Sequence, residues 1–271
     1  MRFAMLGSGS QGNGTVVQSG ATTLLMDCGF MLRDAENRLR RLGVAPHNVS
    51  AIVVTHEHHD HIGGVARFAR KHRLPVWLTD GTREGWKDGP VPRNQRVRCS
   101  EAFTVGDITV TPFAVPHDAR EPVQYVFGDG RFRVGVMSDV GSVTEKMIAA
   151  LSGCDALMIE FNHDLDMLMN GIYPPPLKQR VAGPLGHLSN AQSVELLRAL
   201  DRSKLRHLVL THLSQKNNTP ALALRAAGVL GGTRRDALGQ GLLPLDEAAP
   251  TSTFEIVCAH QEEGLTWREL Q

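Results

Sequence analysis

The residues best suited to chemistry stand together in Thr55-His56-Glu57-His58-His59-Asp60-His61. Four imidazoles and two carboxylates within six consecutive positions would be costly to bury without partners. Neutral imidazole is a common ligand for zinc, copper, iron or nickel, and a carboxylate can hold a second cation beside it. The chemistry on offer is metal-assisted hydrolysis. Two cations roughly 3.5–4 Å apart can share a water and lower its pKa towards about 7. They also draw charge off the oxygens of an attacked phosphate or carbonyl. A solvated turn would account for one histidine, not for four. The zincin pattern His-Glu-x-x-His does not fit either, because its fifth position is Asp60 and the segment follows a strand instead of lying on a helix.

Such ligands need a frame. Residues 51–55, 134–137, 156–159 and 208–211 are apolar runs without alternation, which predicts strands buried on both faces. Each run ends on a polar residue: His56, Asp139, Glu160 and His212. In layered α/β proteins such strand ends converge on one edge, so these four are expected to share a pocket. Hairpins are predicted over 103–113, turning at Gly106-Asp107, and over 123–136, turning at Gly128-Asp129-Gly130. Helices are predicted over 65–72, from Ser142 with Glu145 to about Leu151, from Ser189 with Gln192 to about Leu200, and after Thr219-Pro220. Two stretches, 165–188 and 228–250, read as irregular, the first tied to function and the second peripheral. Nothing divides the chain, so one domain over residues 1–271 is expected.

The His-x-His-x-Asp-His spacing resembles the metallo-β-lactamase superfamily, and later motifs extend the resemblance over nearly the whole chain. Asp27 after Leu24-Leu25-Met26, His117 in Val115-Pro116-His117-Asp118, Asp139 in Met137-Ser138-Asp139-Val140-Gly141 and His212 in Leu210-Thr211-His212 follow in order. The resemblance implies a four-layer αβ/βα sandwich. It also implies that His56, His58 and His117 hold one cation, that Asp60, His61 and His212 hold the other, and that Asp139 bridges them. Asp27 would brace the ligand loop, and Asp60 would orient the attacking water. Zinc is expected first, with manganese or iron as alternatives.

Within the superfamily, Asp139 and His58 favour hydrolysis over oxygen reduction. Glu160 and His187, in Gly186-His187-Leu188-Ser189-Asn190, resemble the glutamate and histidine of tRNase Z-type nucleases. There a charged imidazole could protonate the departing ribose oxygen while the glutamate keeps it charged. His163 competes for that role. The chain is further identified with the YycJ (WalJ) group of bacterial exonucleases by Gly7-Ser8-Gly9-Ser10-Gln11-Gly12-Asn13, residues 160–164 and 167–171, Tyr173-Pro174, residues 177–181 and 186–190, Thr211-His212-Leu213-Ser214, and Asn217-Asn218-Thr219-Pro220. Phe161 departs from that group, where histidine is expected. The group implies digestion of DNA from the 5′ end. Ser8, Ser10 and Asn13 of the glycine loop, with Lys178 and Arg180, are read as substrate-binding.

Gly7, Gly9 and Gly12 also satisfy Gly-x-Gly-x-x-Gly, but strands are predicted on both sides, so no helix N-terminus awaits a dinucleotide pyrophosphate. A net charge of +1 gives no global case for a polyanionic partner. Local arginine clusters (38, 40 and 41; 67, 70 and 73 with Lys71; 93, 96 and 98) would have to supply the positive charge. Four scattered cysteines, an N-terminus without a signal-peptide apolar region and no apolar run near the ~20 residues that span a bilayer point to a cytoplasmic protein free of membrane. The oligomeric state is open. The competing functions are a small-molecule phosphodiesterase, thioesterase or lactonase with the same metals, and a metal-holding scaffold without turnover.

Overall fold

A computed structural model describes residues 1–90, 93–231, 233–235 and 254–271. The first sheet takes β1 (Arg2–Gly7), β2 (Gly14–Ser19), β3 (Thr22–Met26), β4 (Ala51–Val53), β5 (Val76–Leu78) and β6 (Asn94–Arg96). The second takes β7 (Phe103–Val105), β8 (Ile108–Ala114), β9 (Val123–Gly128), β10 (Arg133–Met137), β11 (Ala156–Glu160), β12 (His207–Thr211), β13 (Thr233–Arg235) and β14 (Glu255–Cys258). The last strand, β15 (Leu265–Glu269), returns to pair with β1, giving the orders β15-β1-β2-β3-β4-β5-β6 and β13-β14-β12-β11-β10-β9-β8-β7.

The unbroken apolar runs have a physical reason: both faces of each sheet are covered. Met26 and Val53 point between the sheets, where they meet Tyr125, Val134, Met158 and Val209. Their neighbours Leu25 and Ile52 point outward, with Leu39 and Phe68, onto α1 (Leu32–Arg41), α2 (His59–Ile62) and α3 (Val65–His72). On the far side Met137, Leu157 and Leu210 pack with Leu151, Leu197 and Ala223 from α5 (Glu145–Leu151), α8 (Asn190–Ala199) and α9 (Pro220–Gly228). A further helix, α4 (Asp80–Gly85), follows β5. The result is the four-layer sandwich expected from sequence. Among the described residues, no helix is long and apolar enough to cross a membrane.

Several local expectations shift. The helix α5 is capped by Thr144, whose Oγ1 accepts from the Met147 N–H, and not by Ser142. The Ser189–Gln192 capping box and the Thr219 cap form as read. The stretch 165–188 is largely helical, holding α6 (Leu165–Asn170), capped by Asp164, and α7 (Pro175–Val181), begun by proline. In the stretch 228–250, Thr233–Arg235 form a strand, while residue 232 and residues 236–250 lie outside the described residues.

Register brings the polar strand ends to one edge. Met26 pairs with Val53, which sets Asp27 beside Thr55. Met137 pairs with Ile159 and Glu160 with Thr211, so Asp139, Glu160 and His212 emerge at the same level. The Tyr125 hydroxyl donates to the Val54 carbonyl at 2.7 Å, tying the two sheets together beneath that edge.

Candidate metal centre

The ligand loop is a strand end that runs straight into a helical turn. His56 lies in the short connection after β4, His58 is the N-cap of α2, and Asp60 and His61 lie in its single turn. Nitrogen atoms of His56, His58 and His117 lie within 4.8 Å of one another, and so do ligand atoms of Asp60, His61, Asp139 and His212. Asp139, a member of the second group, also lies near the first: Oδ2 is 2.9 Å from His61 Nε2, and Oδ1 is 3.9 Å from His117 Nε2.

The donor set fits cations. His61 Nδ1 lies 2.8 Å from Asp27 Oδ2 and donates to it, which leaves the Nε2 lone pair facing Asp139 Oδ2. A lone pair and a carboxylate at that separation repel unless a proton or a cation lies between them. Buried His56 Nε2, Asp139 Oδ2 and His212 Nε2 have no hydrogen-bond partner among the described residues. Left unmet, each would cost roughly 1–3 kcal/mol. The titration behaviour carries the same demand for positive charge. Burial opposes protonation of His61, yet Asp139, Asp60 and Asp27 outweigh it and push the imidazole well up. Burial likewise opposes it at His212, where Asp139, Asp60 and Glu160 raise the value to about 10. His56 goes well down, through burial and then the charge on His61. These residues can bind divalent metal.

Three site residues, Asp27, Asp139 and His212, have φ of +59°, +56° and +53°. Non-glycine residues rarely adopt that left-handed region, and at functional sites it persists because surrounding contacts over-determine it. Here the contacts are visible. Asp27 N–H donates to the Val53 carbonyl, while its carboxylate accepts from Thr55 N–H at 2.9 Å and Thr55 Oγ1 at 2.8 Å. Asp139 and Val140 N–H groups both donate to Glu160 at 3.2 Å. His212 N–H donates to Ser8 Oγ at 2.8 Å.

Glu160 is fully buried and does more than pair with His187. Its Oε1 accepts from His187 Nδ1 and from His212 Nδ1, each at 2.9 Å, and its Oε2 accepts from Leu188 N–H at 3.1 Å. Burial would raise its pKa, but His187 and His212 bring it down to about 2. His187 is displaced the other way, because Glu160 outweighs burial. Its side chain is 22 % exposed and lines a cleft of about 350 Å³ that also meets His58, Asp60, Asp139 and His212.

The remaining sequence-read residues divide. Ser10 lines the cleft, but Ser8 and Asn13 are only 4 % and 6 % exposed and lie behind the ligands. Asn13 Nδ2 donates to the Gly9 carbonyl and to Asp60 Oδ2 at 3.2 Å, so it steadies the site from within. The glycine loop can press this close because Gly12 has φ +154° and its missing Cβ would strike the Phe30 ring. Arg180 lines the cleft, whereas Lys178 faces away and donates to the Met169 carbonyl at 2.6 Å. Of the arginine clusters, Arg38 is buried on the Leu6, Gln261 and Glu262 carbonyls and Arg96 pairs with Asp80. His163 is fully buried outside the cleft lining, pushed down to about 4 by burial. Phe161 is core.

Two residues went unassigned in the sequence. Asn162 lines the cleft and donates to the His212 carbonyl at 3.1 Å. Asp118 stands 3.4 Å from His117 Nε2 and 2.7 Å from Arg180 Nε. Adjacency to motif residues was the only signal for either.

Residues 22–213 match the family described as the beta-lactamase superfamily domain. Exodeoxyribonuclease YycJ of Bacillus anthracis is 35% identical over 227 residues, covering 82% of this chain and 86% of the relative. Exodeoxyribonuclease WalJ of Streptococcus pneumoniae serotype 2 is 32% identical over 228 residues, covering 82% and 85%. Among solved structures, the metallo-beta-lactamase fold protein YhfI from Bacillus subtilis superposes with a TM-score of 0.71 at 18% identity over 99% of both chains, a likeness of fold.

Proposed function

The chain belongs to the β-lactamase superfamily, and from that premise we propose that it is a metal-dependent DNA exonuclease digesting from the 5′ end. The observation that carries this reading is His187, which lines the cleft beside the candidate metal-binding groups and is held at 2.9 Å by buried Glu160, in a chain related over most of its length to two exodeoxyribonucleases.

In this reading His56, His58 and His117 hold one divalent cation, Asp60, His61 and His212 a second, and Asp139 serves both. Zinc suits this donor set first, and manganese or iron also suit imidazole and carboxylate. When bound, the cations supply a water acidified towards neutral pH and positive charge beside the phosphate oxygens.

The protein's own groups do the rest. Asn13 engages Asp60 Oδ2, which leaves Oδ1 without a partner among the described residues and able to accept a hydrogen bond from the attacking water. His187 gives Nδ1–H to Glu160, so Nε2 is the atom free to meet the leaving group. Glu160 keeps that ring charged, and the Nε2 proton passes to the departing deoxyribose oxygen as the P–O bond breaks. Asp27 and Glu160 orient His61 and His212 through Nδ1, as carboxylates commonly do for metal-holding imidazoles.

The test is digestion of single- and double-stranded DNA labelled at either end, beside bis-p-nitrophenyl phosphate and a panel of thioesters and lactones. Early release of the 5′ label as short product is expected. Intact DNA alongside brisk turnover of a thioester or lactone would replace this reading with the small-molecule one.

A further inference from the structure

Arg180 is the only lysine or arginine lining the cleft among the described residues. Its side chain is 63 % exposed, and its Nε donates to Asp118 Oδ2 at 2.7 Å. The two terminal nitrogens make no hydrogen bond or ion pair among the described residues. A guanidinium offers its donors as a planar fork, so with Asp118 on Nε the terminal pair stays available as a bidentate seat for phosphate oxygens.

Stability does not account for this pair. Exposed ion pairs are worth about 0–1 kcal/mol. The surroundings instead fix where the guanidinium stands. Asp118 N–H donates to the Leu185 carbonyl at 3.0 Å, and Asp118 Oδ1 faces His117. His187 N–H donates to the Val181 carbonyl at 2.8 Å. Gly186 approaches so closely that an added Cβ would strike the Arg180 and Val181 carbonyls. Arg180 and His187 thus ride on one packed unit, and a single carboxylate separates Arg180 from the His58–His117 face of the centre. The fork therefore stands in the cleft one carboxylate away from the groups that would meet a scissile phosphate, on the side where a neighbouring phosphate of the strand could be held.

We infer that Arg180 binds the phosphate adjoining the scissile one, the 5′-terminal phosphate when the first nucleotide is in the cleft, and that Asp118 is the positioning residue holding it there. The inference rests on the nuclease reading. It makes a 5′-phosphorylated end the favoured substrate.

The experiment compares kcat/KM on a thymidine dinucleotide with and without a 5′-phosphate, for the metal-loaded wild type, Arg180→Ala, Arg180→Lys and Asp118→Asn. The ratio within each protein cancels general losses of fold or metal. Wild type should favour the phosphorylated dinucleotide by roughly tenfold to a hundredfold, the size of charge-assisted hydrogen bonds. Arg180→Ala should bring the ratio near one, and Arg180→Lys should keep part of it. Asp118→Asn should lower it chiefly through KM, with metal content by elemental analysis unchanged. A preference absent in wild type, or surviving in Arg180→Ala, overturns the inference. Metal loss in Asp118→Asn, with equal falls on both dinucleotides, removes Asp118 from its positioning role. If neither dinucleotide is cut while a thioester or lactone turns over, the nuclease reading fails and takes this inference with it.

Discussion

Each sheet contributes one buried carboxylate that braces imidazoles of the centre through Nδ1, and the two are wired differently. Asp27, at the end of β3, braces His61 and Thr55, all within the half of the site built by one loop and its neighbouring strand. Glu160, at the end of β11, accepts from His212 and His187 and from backbone N–H groups of Val140 and Leu188. One brace orients a single metal-binding ring. The other joins a metal-binding ring to the cleft histidine through a shared oxygen. In the proposed reaction the first half of the site therefore serves to hold cations, whereas the second couples holding them to the fate of the leaving group.

Three substitutions sharpen or break that contrast. The largest effect is expected for Glu160→Gln, which weakens His212 and uncharges His187 together. Turnover on DNA should fall by roughly 10³-fold or more, combining the loss of a bracing carboxylate with loss of an acid catalyst. Metal content should fall as well, as measured by elemental analysis. Full metal occupancy with near-normal turnover would show that Glu160 serves the fold alone. Next comes His187→Ala, with a loss of about 10²–10⁴-fold on DNA, whose alkoxide leaving group needs a proton, and much less on bis-p-nitrophenyl phosphate. Its metal content should match wild type. Equal losses on both substrates would take the leaving-group role from His187. The smallest effect is expected for Asp27→Asn, with about 10–100-fold in metal affinity or activity. Its loss should be the same for good and poor leaving groups, and excess metal should restore much of it. A loss confined to poor leaving groups would erase the distinction between the two braces.

The legibility of the site follows the same division. His56, His58, Asp60 and His61 lie within six residues, so chain geometry alone keeps them close and their residue types declare the chemistry. The strand-end histidine and carboxylates were readable because doubly buried strands leave unbroken apolar runs that stop at a polar residue. The loop residues were harder. Ser8, Ser10 and Asn13 alternate between lining the cleft and supporting its floor, and only the path of the glycine loop separates them. Lys178 and Arg180 looked alike while their segment read as irregular. On a helix, residues two apart point to nearly opposite sides, and α7 sends Arg180 to the cleft and Lys178 to Met169.

The sequence by itself determined the doubly buried strands, the polar residues at their ends and the metal-binding residue types, while the four-layer sandwich and the pairing of Glu160 with His187 were implied by its resemblance to the superfamily. Periodicity and ligand chemistry are properties of residue type and spacing, and they need no tertiary information. Only the tertiary structure decided that Glu160 also reaches His212, that Asp139, Asp27 and His212 turn through left-handed backbone to face one point, and that Asp118 steers Arg180. Those outcomes depend on strand register and on close approach between segments up to some 200 residues apart, such as Ser8 and His212. A hydrogen bond has a range of about 3 Å, so which partners meet is settled by how the sheets pack.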